Sequence, residues 1–205
     1  QGTRAGRGQG PEAEGRPPVT ATAYPLLTLP SLTRLQQLHC GVVQDGSVRP
    51  VGDCYRTAIA STLGLSSPTE VPHFADITED LVTVVPLGWE TYRLARRWLR
   101  ERGMDMLPVT VEGAAESGVR YIASVNSRRG DWSHVVVAMG RRVIHDPSSD
   151  TLAELGLEPY TFADVVAAGY EALVFVDPYD PGPDAQLVQF AIETRALDLD
   201  QVNAA

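Results

Sequence analysis

The hydrophobic period changes partway along this chain, and that change limits the folds open to it. Up to about residue 103 the apolar side chains recur at helical spacing; beyond it they gather in short, β-branched runs bounded by Gly, Asn, Asp and Pro. The segment from Val51 to Gly64 predicts one helix, with Asp53 placed as N-cap, Ile59 and Leu63 four apart, and Gly64 at the C-terminal stop. Cys54 falls in its first turn. A second helix is predicted from Trp89 to Arg102, ended by Gly103, with Arg93, Arg96, Arg97 and Arg100 as its polar flank. Met106–Val111, Val119–Val125, His134–Met139, Val143–Asp146 and Ala172–Asp177 predict strands, and Thr161–Ala168 a short helix. Turn-rich pieces separate the middle three strands, as in an antiparallel meander. Helices first and an antiparallel sheet second predict an α+β domain with its helices segregated from the sheet.

Of the 205 residues 43% are hydrophobic, which suffices for the core of one domain. Residues 1–23 are rich in Gly and Pro, hold almost nothing apolar, and predict a flexible arm. The folded domain is expected over residues 24–178. Residues 179–205 then form an acidic tail with a weakly helical stretch from Ala185 to Leu199. Acidic side chains number 26 against 17 basic, and the net charge of −9 argues against nucleic acid or an anionic membrane as the main partner. Neither a bilayer-length apolar stretch nor a targeting leader is visible. Two cysteines are too few for a disulfide scaffold or a structural zinc site. His134, His145 and Asp146 do not converge easily on a metal, because successive strand residues face opposite sides. No glycine-rich phosphate loop appears. The expectation is a cytoplasmic protein without metal or cofactor.

Thiol catalysis needs a thiolate, a base, a group to orient that base, and donors for an oxyanion. Cys54 has the helix N-terminus, where the dipole and free N–H groups favour a thiolate. His134 opens a strand directly after a turn, Asp146 ends the next strand, and Gln44 precedes Cys54 with a side-chain amide. Asp53, Trp132 and Ser133 flank these residues and are candidates for the substrate cleft. Each has a plainer reading beside it. A cysteine in a helix also serves as a small core residue, Asp146-Pro147 also ends strands in ordinary turns, and Gln44 also fits a loop without a role. Cys40, His39 and His73 carry no such context and read as structural. The Arg-rich helix reads as a solvated face or as a partner for the acidic tail.

Register decides whether Asp146 shares a face with His134. A three-residue loop at Met139-Gly140-Arg141 pairs His134 with Asp146, whereas a two-residue Gly140-Arg141 loop turns Asp146 to the opposite face. Both remain open at this level.

Through Gly52-Asp53-Cys54-Tyr55-Arg56-Thr57-Ala58-Ile59-Ala60, then Ser133-His134-Val135-Val136-Val137 and Val143-Ile144-His145-Asp146-Pro147, the chain resembles papain-like cysteine peptidases. More narrowly, it is similar to bacterial double-glycine leader peptidases and related small phage and bacterial papain-fold proteins, over roughly residues 40–178. That resemblance implies a Cys54–His134–Asp146 triad, with Gln44 assisting the oxyanion, although Gln44 stands farther from the cysteine than in papain-type enzymes. It implies hydrolysis of a peptide or isopeptide bond in a bacterial or phage-infected cytoplasm or a virion. Two other outcomes share the apparatus. One is amide transfer or deamidation; the other is a non-catalytic papain-fold piece of a phage particle, contacting assembly partners through residues 1–23 and 179–205.

Overall fold

The computed structural model describes residues 26–38, 43–44, 47–48, 52–74, 87–130 and 132–178, with 43–44, 47–48 and 87–90 as backbone. The arm, the tail, His39, Cys40 and Asp131 lie outside the described residues. Two short strands, β1 (Val43–Gln44) and β2 (Ser47–Val48), pair as an antiparallel ribbon. Helices α1 (Cys54–Thr62) and α2 (Leu87–Arg100) follow. Then come β3 (Asp105–Val109), α3 (Val111–Ser117), β4 (Arg120–Asn126), β5 (Ser133–Met139) and β6 (Arg142–His145). The order closes with α4 (Ser149–Glu154), α5 (Phe162–Ala168) and β7 (Ala172–Val176). Strands β3 to β7 form one antiparallel sheet in the order β3-β7-β4-β5-β6. The domain is α+β, as the change of period predicts.

The helices, however, cover both faces of the sheet rather than one. Val135 and Val137 of β5 pack with Ala58 and Ile59 of α1 and with Leu99 of α2. Val136 and Ala138 pack on the other side with Ala114, Leu152 and Val165 from α3, α4 and α5. A strand buried on both faces reads as a continuous apolar run, and residues 134–138 of β5 are all buried. Helices α3 and α4 are missing from the sequence expectations because two turns are too short to express a period. The ends of α3 are marked instead by caps: Thr110 Oγ1 accepts from Gly113 N at 3.1 Å, and Gly118 closes the helix at φ +70°.

One arginine of α2, Arg96, belongs to the interior, and the exposed Arg100 reaches the same carboxylate. Arg96 grips Asp105 at both oxygens, 2.8 and 2.7 Å, and Arg100 Nε adds a third bond at 2.9 Å. Burial alone pushes the Asp105 carboxyl up, but the Arg96 bonds and charge outweigh it and hold the group below its ordinary value. The flank is therefore not a uniformly solvated face: Asp105 takes bonds from both arginines, and the acidic tail lies outside the described residues.

Residues 26–38 run as a strap across the molecule. Leu26 bridges Val176, Leu27 N bonds Phe175 O at 3.2 Å, and Thr33 N bonds Ser61 O at 3.1 Å. Farther along, Leu35 O accepts from His145 Nε2 at 2.8 Å, Gln37 N donates to Pro147 O at 2.8 Å, and Leu38 N donates to Asp53 Oδ2 at 3.1 Å. Gly64 has φ +70°, and a Cβ there would come within 2.7 Å of Ser31 O, so only glycine fits beneath the strap. Among the described residues no helix is long and apolar enough to cross a membrane.

Candidate active site

Helix α1 opens at Cys54, whose side chain is half-buried, and its first intrahelical bond runs from Thr57 N to Asp53 O at 2.9 Å. Asp53 holds the capping position but does not cap with its side chain. Its carboxylate accepts from Arg56 Nε and Nη2 at 3.2 and 3.0 Å and from Leu38 N. At 1% exposure Asp53 is an interior anchor rather than a wall of an open cleft, because these donors draw it inward.

The β5–β6 hairpin follows neither expected register. Met139 pairs with Arg142 and Ala138 with Val143, as a two-residue turn requires, but Val137 then pairs with His145. A bulge absorbs Ile144 and restores the phase that the short turn would have lost. His145 therefore falls on the face of Val137 and reaches the strap. Asp146 returns to the face of Val136 and His134.

His134 Nε2 stands 2.7 Å from Asp146 Oδ1, and both side chains are buried. Ser148 lies two residues past the strand and donates to the same oxygen from its N (2.7 Å) and its Oγ (2.9 Å). The Ser148 hydroxyl is also 3.2 Å from His134 Nε2. Tyr160 stacks on the imidazole with centroids 5.4 Å apart and planes 27° apart, and its own hydroxyl accepts from Arg128 N at 2.8 Å. The ring is thus fixed at its edge and at its face.

Burial works against a charged His134. The Asp146 hydrogen bond and then the Cys54 sulfur, through hydrogen bonding and charge, overcome it and lift the ring from 6.5 to about 9. Asp146 is pushed up by burial, but the bond and charge of His134 and the Ser148 donors bring it below its ordinary range. His145 goes the other way, lowered chiefly by burial, as suits a neutral ring donating to a backbone carbonyl.

Cys54, His134 and Asp146 thus come together from α1, β5 and the end of β6. Gln44 lies in β1, described as backbone, so its amide falls outside the described atoms. Ser133 is exposed and opens β5 opposite Asn126. Trp132 is half-buried and lies against Gly130, where a Cβ would collide with the indole. Ser148, Tyr160 and Arg56 were not foreseen. The spacing Asp146-Pro147-Ser148 carries the signal of a turn in which a carboxylate takes the N–H two residues on, whereas nothing local marks Tyr160. Among the described residues no group of three or more His, Cys, Asp and Glu could hold a metal ion. Comparison with family models, curated proteins and solved structures finds no match for the chain.

Proposed function

We propose that this protein is a thiol-dependent hydrolase of papain-like architecture that cleaves a peptide or isopeptide bond. The observation that carries the reading is the buried imidazole of His134, acted on by the Cys54 sulfur and bonded to Asp146 at 2.7 Å. With Nε2 taken by Asp146 and Ser148, Nδ1 is the ring atom left for the thiol. The thiol proton passes to the ring, and the sulfur bonds to the substrate carbonyl carbon while the carbonyl π pair moves onto oxygen. N–H groups at the head of α1 receive that oxyanion. As it collapses, the carbon–nitrogen bond breaks and His134 returns the proton to the leaving amine. Water then adds to the thioester with His134 as base, the carbon–sulfur bond breaks, and the acid leaves as Cys54 regains its proton. Asp146 holds the ring's orientation and steadies its positive charge throughout.

Alkylation by iodoacetamide, followed at the level of peptides by mass spectrometry, tests the site. Cys54 is expected to react far faster than Cys40 at pH 6–7, and His134→Ala should abolish the difference. Equal, slow labelling of both cysteines in the intact protein would remove the hydrolase reading and leave a non-catalytic fold. Peptide-library digestion then separates new amino termini, which support hydrolysis, from ammonia release or amine incorporation, which would favour deamidation or transfer.

A further inference from the structure

Asp53 is of a residue type that caps helix N-termini, yet its carboxylate is held away from the head of α1. A free carboxylate one residue before the nucleophile would be the nearest acceptor for the N–H groups of the first turn. Those are the groups the thiol chemistry requires for the acyl oxygen. Three donors hold it elsewhere: two guanidinium bonds from Arg56, at 3.2 and 3.0 Å, and the Leu38 amide at 3.1 Å. Arg56 sits at i+3 on the same helix with its side chain only 12% exposed, so the pair is largely shielded from solvent. The Asp53 backbone, at φ −94° and ψ 21°, also departs from the extended geometry of a capping residue.

We propose that Arg56 is a positioning residue that draws the Asp53 carboxylate off the head of α1 and so keeps the first-turn N–H groups open to the oxyanion formed at Cys54. The inference rests on Cys54 being the nucleophile and adds a role that an ordinary ion pair would not have. A structural pair supports the fold, and its loss costs stability and activity together. A latch restrains a competitor, and removing that competitor restores what losing the latch took away.

Two reagents separate these effects. Iodoacetamide is displaced at carbon with no oxyanion, whereas p-nitrophenyl acetate acylates the sulfur through one. In the latter the carbon–sulfur bond forms, the carbon–oxygen bond breaks, and p-nitrophenolate leaves. In Arg56→Ala, the acylation rate should fall by on the order of 10²-fold, the scale of losing one oxyanion donor, with Cys54 alkylation changed little. Adding Asp53→Ala to that variant should return acylation to within a few-fold of wild type, and Arg56→Lys should recover most of the loss. The latch is overturned if Arg56→Ala acylates at the wild-type rate, or if the double variant is no faster than Arg56→Ala. Recovery in the double variant cannot come from a chain that failed to fold. Wild-type protein inert to both reagents would instead overturn the nucleophile itself.

Discussion

Asp146 reaches His134 only because the strand carrying it is one residue longer than its partner requires. The bulge at Ile144 restores the phase lost at the two-residue turn, and the carboxylate arrives 2.7 Å from Nε2. Spacing in the hairpin, rather than the identity of the turn residues, aligns the pair.

That alignment gives stability a definite pH dependence. His134 has its folded value raised, from 6.5 to about 9, so the folded state holds the proton more tightly than the unfolded chain. The contribution is whole below 6.5 and is lost as pH rises through 9. Melting temperature should decline across that window, and Asp146→Asn should flatten the decline. Thermal melts of both proteins from pH 6 to 10 check it; equal slopes would break the assignment.

Ser148 is expected to matter beyond its size. Ser148→Ala removes the Oγ bonds to Asp146 and His134 while the Ser148 amide still donates. The expected cost is about 1 kcal/mol in urea titration, the usual net worth of a buried hydrogen bond. Slower alkylation of Cys54 should accompany it.

The face of the imidazole depends on Tyr160. Tyr160→Ala empties a buried ring site and removes the stack at 5.4 Å, costing roughly 3–5 kcal/mol. Tyr160→Phe keeps the ring but orphans Arg128 N, so its cost should be smaller, about 1–3 kcal/mol. Cys54 alkylation should survive the second change much better than the first.

Arg96 and Arg100 share Asp105 unequally. The Arg96 side chain is 9% exposed and its loss uncovers a buried carboxylate, so Arg96→Ala should cost roughly 3–5 kcal/mol. Arg100 is 46% exposed, and its pair should be worth no more than about 1 kcal/mol. Chemical denaturation of the two variants side by side tests the contrast.

How much of this was legible beforehand depended on the range of each interaction. Helix α1 announces itself through Ile59, Leu63 and Gly64, and β4 and β5 through β-branched runs; their boundaries fall within two residues of expectation. Cys54, His134 and Asp146 could be nominated because their placement at element ends is local. Whether Asp146 shared a face with His134 was not legible, since it turned on a bulge that no residue type specifies. Asp53 illustrates the same limit: its residue type predicts a cap, yet Arg56 on the next turn and Leu38, brought in by the fold, claim the carboxylate. The strap was hidden for a different reason. The strap offers chiefly its own main-chain atoms to β7, α1 and Pro147, and the side chains that meet those atoms, Asp53, Ser61 and His145, lie far along the sequence and leave no local pattern to read.

That strap has a consequence for how the molecule opens. Its last residues bond on both sides of the candidate site, Leu38 to Asp53 beside Cys54 and Gln37 to Pro147 in the turn after Asp146. A fluctuation that lifts them would slacken the support of Cys54 and of the His134–Asp146 pair at once. Amide exchange at Gln37 and Leu38 should therefore keep time with the fading of thiol reactivity under mild denaturant, making this short stretch of plain backbone a gauge of the whole site's integrity.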